Sequence, residues 1–196
     1  MNEKPRICIY CASSAKIADH YFDVAERLGR ALVEANKKVV FGGGSSGLMG
    51  RLADTVIAEG GTILGIMPHF MRDVEWAHRE VKEFEFVSDM HERKKRLLAG
   101  SEAVVALAGG SGTLEELLEA ITLKRLGLYL NPIIIVNTKG FYDPLRVMLE
   151  RCVEENFMHP DHLKMWTFVS QPEDVLPAIA TAPTWAQEQM KMAAFR

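Results

Sequence analysis

The sequence predicts a single-domain α/β fold: one mainly parallel sheet with helices on both faces. Three observations carry this. Apolar strand-like runs alternate with amphipathic helical stretches along the chain, an order that implies parallel crossovers. The run Ile133-Ile-Ile-Val136 is β-branched, uninterrupted and not alternating, as suits a strand buried on both faces. Both glycine clusters follow directly on predicted strands, at the sheet edge where such folds bind ligands.

The elements follow in order. Residues 6–11 (Arg-Ile-Cys-Ile-Tyr-Cys) form the first strand, and residues 18–35 a helix with Phe22, Ala25, Leu28, Gly29, Leu32 and Val33 on one face. Residues 38–41 are a strand, 48–59 a helix, 62–67 a strand and 84–87 a short strand. Residues 90–98 are helical and 103–107 a buried strand. Residues 114–125 form a helix striped by Leu114, Leu117, Leu118 and Ile121. After the strand 133–136 come a helix at 145–153, a strand at 165–169 and a helix at 173–180. No linker divides the chain, so residues 1–182 form one domain, and residues 183–196 are a tail, either a short helix or frayed. The helix carrying Leu145, Met148, Leu149, Cys152 and Val153 fits core or interface equally.

Composition narrows the class of function. The chain has 196 residues, 48% apolar and 25% charged, values ordinary for a globular domain and wrong for a disordered chain, a collagen or a disulfide scaffold. A net charge of −3 and a pI near 6.1 argue against nucleic-acid binding, as does the lack of a basic-aromatic strip. Three cysteines, an odd count, argue against a secreted, disulfide-stapled protein. Cys8 and Cys11 make a C-x-x-C pair, but residues three apart on a strand point to opposite faces, and no second pair completes a zinc site. No metal is therefore expected. Without a signal-like N-terminus or a run of 18 apolar residues, the expectation is a cytoplasmic protein with no membrane partner.

The two glycine loops differ in what flanks them. The first, residues 41–50 (Phe-Gly-Gly-Gly-Ser-Ser-Gly-Leu-Met-Gly), lacks the Gly-Lys-Ser/Thr of a P-loop, and on its own fits a ligand site or a bare turn. The second runs from Leu107 through Gly109, Gly110, Ser111, Gly112 and Thr113 into a helix bearing Glu115 and Glu116. Glycines open the backbone, hydroxyls flank it and a helix N-terminus follows, which makes a phosphate cradle. The competing reading of Glu116 is a capping box, in which it bonds back to the Thr113 N–H. Carboxylates beside a phosphate repel it unless cations or chemistry require them. The predicted helix 90–98 supplies Arg93 and Lys94. Lys95 and Arg96 fit a solvated face, whereas Arg93 suits bidentate contact with phosphate or carboxylate.

These residues carry a resemblance. Ala108-Gly-Gly-Ser-Gly-Thr-Leu-Glu-Glu116 resembles the PGGxGTxxE motif of the Lonely Guy family, cytokinin riboside 5′-monophosphate phosphoribohydrolases often labelled lysine decarboxylases. Met90-His-Glu-Arg-Lys94 resembles its M-H-x-R-K segment, Tyr10-Cys-Ala-Ser-Ser14 its Y-C-G-S-S, and Gly42-Gly-Gly-Ser-Ser-Gly-Leu-Met-Gly50 its GGGxxGLMG. Glu75-Trp-Ala-His78 is similar to a further family segment. The ordered match covers residues 6–180, with Ala108 in place of a proline and Ala12 in place of a glycine. The resemblance implies a Rossmann-like fold, a homodimer with sites near the subunit interface, and hydrolysis of a purine nucleoside 5′-monophosphate to free base and ribose 5-phosphate. It implies Arg93 and Glu116 as the catalytic pair. It carries substrate binding to Glu75, Lys94, Gly110, Ser111, Gly112, Thr113, Glu115 and Thr122.

The chemistry agrees with that assignment. Breaking an N-glycoside builds positive charge on the ribose, which a carboxylate stabilises while taking a proton from water. Glu116 takes this role. Arg93 contacts phosphate or ribose, or holds Glu116 ionised. Ser14 and Gly43 contribute to the cradle from the adjacent strand edge, and no cofactor is required. Met90, with Met71 and Trp76, either lines a pocket for an N6 substituent or packs as core. The alternative is a nucleotide- or cofactor-binding carrier or sensor on the same scaffold, without hydrolysis.

Overall fold

The computed structural model describes residues 4–72 and 77–186. The elements are β1 (Arg6–Tyr10), α1 (Asp19–Glu34), β2 (Lys38–Phe41), α2 (Gly47–Ala58), β3 (Thr62–Pro68), β4 (Glu83–Val87), α3 (Met90–Leu98), β5 (Ser101–Ala106), α4 (Ser111–Arg125), β6 (Ile133–Val136), α5 (Asp143–Glu154), β7 (Thr167–Val169) and α6 (Val175–Thr181). The seven strands form one sheet in the order β4-β3-β2-β1-β5-β6-β7, with every pairing parallel. The predicted class is therefore the observed one.

Strand β6 illustrates how sequence dictates layer. Ile133 and Ile135 pack into one apolar cluster and Ile134 and Val136 into the other. All four are within 1% of full burial, and such burial is worth about 1.5–3 kcal/mol per side chain. One face of the sheet is covered by α1, α2 and α6, the other by α3, α4 and α5. Cys8 and Cys11 fall into opposite clusters. Among the described residues, no helix is long and apolar enough to cross a membrane.

Most elements lie within a residue or two of expectation, and the departures have local causes. Helix α3 keeps its expected bounds, and Asp89 caps it, its side chain accepting from the Glu92 N–H at 2.8 Å. Strand β5 starts at Ser101, whose hydroxyl bonds to the Leu98 carbonyl at 2.9 Å. Met165 belongs to a 3₁₀ turn, Pro160–Met165, so β7 begins later than expected. The last predicted helix is a 3₁₀ turn at Pro172–Asp174 followed by α6. On α5 only Leu149 is buried, while Val147 and Met148 are exposed. On α4, Leu118 departs from the expected stripe and is 40% exposed. Residues 183–186 have no regular structure, yet Trp185 is buried and donates its indole N–H to the Lys124 carbonyl at 2.9 Å. The rest of the predicted tail lies outside the described residues.

Candidate active site

The strand order reverses between β1 and β5: the chain builds outward from β1 to β4, then returns to place β5 on the other side of β1. Loops that follow the two strands diverge there, which opens a crevice at the carboxyl edge of the sheet. A cavity of about 260 Å³ occupies it, lined by Ile9, Cys11, Ala12, Ser13, Ser14, Gly42, Met49, Arg93, Gly110, Ser111, Gly112, Thr113 and Glu116.

One wall is the start of α4. Gly110 is its N-cap in extended conformation, and the first intrahelical bond runs from the Leu114 N–H to the Gly110 carbonyl at 3.0 Å. The N–H groups of Ser111, Gly112 and Thr113 precede that bond, so the helix itself gives them no acceptor. A Cβ at Gly110 or Gly112 would meet nothing within 4 Å. The arrangement is an anion-accepting helix terminus in open space. It also overturns the capping-box reading. The helix starts at Ser111, three residues ahead of the predicted Leu114, so Thr113 stands inside the first turn, 5% exposed, and cannot be the cap to which Glu116 returns.

Glu116 instead meets Arg93. The Arg93 Nη1 donates to Glu116 Oε1 at 3.2 Å, its Nε to the Ile66 carbonyl at 3.1 Å and its Nη2 to the Gly42 carbonyl at 3.3 Å. The two side chains are 8% and 12% exposed. The pair is therefore largely withdrawn from water. Behind the pair stand Cys8, Tyr10 and Cys11. Burial pushes both thiols and the phenol up, and the charge of Glu116 adds to the shift, so these groups are neutral near pH 7. A carboxyl group paired with a guanidinium thus faces the cavity three residues beyond an anion-accepting helix terminus. That pairing suits chemistry in which a substrate is held by an anionic group and gains positive charge nearby.

The sequence-predicted residues separate into two sets. Ser14, Arg93, Gly110, Ser111, Gly112, Thr113 and Glu116 line the cavity. Gly43, Met90, Lys94, Gly109, Glu115 and Thr122 do not. Gly43 turns its carbonyl to the His78 N–H at 3.0 Å, and its neighbour Gly42 takes the lining position. Gly109 gives its space to the Thr113 side chain. Lys94 is tied to Glu115 and, at 2.9 Å, to Glu119. Thr122 is exposed on α4 and its hydroxyl returns to the Leu118 carbonyl at 2.8 Å. Glu75 and Trp76 lie outside the described residues. Lys95 and Arg96 are exposed, as expected. Sequence reasoning did not single out Cys11, Ala12, Ser13, Gly42 or Met49 as lining residues. All five sat within quoted motifs, but only the fold tells which residues of a motif turn inward.

Comparison with known proteins places the chain. A family model described as possible lysine decarboxylase matches residues 49–179. The chain is 38% identical over 195 residues to the cytokinin riboside 5′-monophosphate phosphoribohydrolase LOG1 of Arabidopsis thaliana, covering 94% of this chain and 92% of that protein. It is 42% identical over 156 residues to the probable cytokinin riboside 5′-monophosphate phosphoribohydrolase LOGL1 of Oryza sativa subsp. japonica, covering 80% and 70%. Among solved structures it is similar to the molybdenum cofactor carrier protein of Chlamydomonas reinhardtii, with a TM-score of 0.69 at 18% identity over 92% of this chain and 98% of that one. At that identity the likeness is one of fold.

Proposed function

This chain belongs to the Lonely Guy family of phosphoribohydrolases, and from that premise we propose that it hydrolyses the N-glycosidic bond of a purine nucleoside 5′-monophosphate, an N6-modified AMP or AMP itself, to free base and ribose 5-phosphate. The observation that carries this reading is the cavity at the β1/β5 switch, where the open N-terminus of α4 and the part-buried Glu116 carboxylate face the same space.

The 5′-phosphate binds the N–H groups of Ser111, Gly112 and Thr113, with the Ser111 and Ser14 hydroxyls beside it. Holding the phosphate orients the ribose over Glu116. As the C1′–N bond breaks, the carboxylate stabilises the growing positive charge and takes a proton from water. The water oxygen bonds to C1′, the bonding pair leaves with the base, and the proton passes on to that base. Arg93 donates to Ile66, Gly42 and Glu116, so it acts by holding Glu116 charged and aimed. No lysine lines the cavity among the described residues, so it has no candidate for the Schiff base of a pyridoxal-dependent decarboxylase.

The reading extends to a cytoplasmic homodimer. Three free cysteines, Cys8, Cys11 and Cys152, suit a reducing compartment. Thr122 and Leu118 stand exposed on α4 away from the chain's own cavity, as fits a site near a subunit interface; sedimentation at micromolar concentration tests this, with a monomer the adverse result. The test of the reaction is a panel of N6-isopentenyl-AMP, AMP, GMP and CMP with purified protein. Base and ribose 5-phosphate should appear without added metal. Glu116→Gln should lower kcat by about 10²-fold or more while the thermal midpoint holds. A Gln variant near the wild-type rate overturns the assignment, and a wild type that returns every nucleotide intact favours a carrier or sensor.

A further inference from the structure

Gly42 is the first of three consecutive glycines at the end of β2, and backbone conformation does not explain it. Gly43 and Gly47 have φ of +87° and +62°, whereas Gly42 is not among the positive-φ residues. What distinguishes Gly42 is space. A Cβ built there would overlap Arg93 Nη2 and press on Met49 Sδ at 3.1 Å. The same residue's carbonyl accepts from that Nη2 at 3.3 Å. So the bare α-carbon admits the guanidinium, and the carbonyl fixes it. Ile66, at the end of the next strand, supplies the second carbonyl at 3.1 Å. Arg93 reaches this seat from α3, and its remaining Nη1 is left aimed at Glu116, 3.2 Å away.

We propose that Gly42 is a positioning residue for the cleavage reaction: it seats the Arg93 guanidinium and, through Arg93, sets the place and charge of Glu116. This deepens the hydrolase reading and rests on it. A side chain at position 42 displaces the far end of a long side chain rather than backbone, so the damage falls on the Arg93–Glu116 pair before it falls on the fold. The α4 terminus that binds phosphate lies on the other side of the crevice and is untouched.

The test is Gly42→Ala, with Arg93→Ala as its partner in a double-mutant cycle. In the wild-type background Gly42→Ala should lower kcat about tenfold or more while KM stays within about threefold, the pattern of a lost transition-state interaction. In the Arg93→Ala background, where the guanidinium is gone, the effect of Gly42→Ala on kcat should disappear and its cost in thermal midpoint should shrink to what the Met49 Sδ contact imposes. A Gly42→Ala enzyme with unchanged kcat overturns the proposal. So does a Gly42→Ala penalty in thermal midpoint that is as large without the guanidinium as with it. If the wild type cleaves no nucleotide, the hydrolase reading fails on its own. The thermal cycle still decides the seat, and it does so even if Gly42→Ala folds too poorly to assay.

Discussion

The two glycine loops, residues 42–50 after β2 and 108–113 after β5, share a composition and a place in the fold, yet their backbones turn to different partners. In the first, the Leu48 and Met49 N–H groups at the head of α2 donate to the Ala12 carbonyl at 2.9 and 3.3 Å. Gly47 packs against the Ser13 and Ser14 backbone, where a Cβ would lie 2.5 to 2.6 Å from their atoms. The glycines let two loops of the same chain touch. In the second, Gly110 and Gly112 border open space, and among the described residues no backbone carbonyl from another loop accepts from the head of α4. Glycine therefore serves two ends: in one loop it lets the protein's own chain approach closely, and in the other it leaves the backbone bordering open space, where the proposed reading puts the nucleotide. The two uses are linked, because the loop that α2 braces supplies Ala12, Ser13 and Ser14 to the opposite wall of the cavity.

The largest effect that would test this contrast is on stability, at Gly47. Its φ of +62° and its backbone neighbours leave no cheap adjustment, so Gly47→Ala should lose about 2–4 kcal/mol in urea denaturation. Gly112→Ala should behave in the opposite way. It adds a methyl group in open space on a helix, where Ala is preferred over Gly by about 0.5–1 kcal/mol, so stability should hold or rise. In the proposed binding of the nucleotide the methyl stands in the path of the phosphate, so KM should rise roughly tenfold, equivalent to about 1.4 kcal/mol. A Gly112→Ala protein that unfolds like Gly47→Ala, or that keeps its KM, would remove the distinction.

How much of this was legible in the sequence depends on whether the cause was local. Strand β6 was plain, because a strand buried on both faces can hold only apolar residues. Helix α3 kept its expected bounds, and its cap is local too, the side chain of Asp89. The start of α4 was not, because Thr113 and Glu116 imitate a capping box while the true cap, Gly110, has no side chain to announce itself. The outward face of Leu118 was hidden for a related reason, since periodicity gives a stripe without saying how wide a strip of helix the sheet covers. The Arg93–Glu116 contact joins residues 23 apart on different helices, and motif resemblance paired them before any geometry could. Among three consecutive glycines, nothing in the local sequence separates Gly42, which lines the cavity, from Gly43, which does not. Only the arrival of Arg93 from α3 makes that difference.

A smaller effect sharpens the contrast from the side of the open loop. Among the described residues no other loop's carbonyl holds the N–H groups at the head of α4, so its approach has to be held from beneath. The Leu107 N–H bonds to the Tyr10 carbonyl at 2.9 Å and the Leu107 carbonyl accepts from the Tyr142 hydroxyl at 2.7 Å. Tyr142 is 1% exposed, and its own N–H is held by the Asn137 side chain at 2.7 Å. This strut stands at the foot of the 108–113 loop, and no glycine takes part in it. Tyr142→Phe removes one buried hydrogen bond and little else, a loss of about 1 kcal/mol. If the open loop is rigid because it is tied at its foot, that variant should also raise KM by about threefold, with a smaller effect on kcat because Arg93, seated on Ile66 and Gly42, still holds Glu116. A loss of stability with no change in KM would mean that α4 holds its own N-terminus open, and that the strut serves the fold alone.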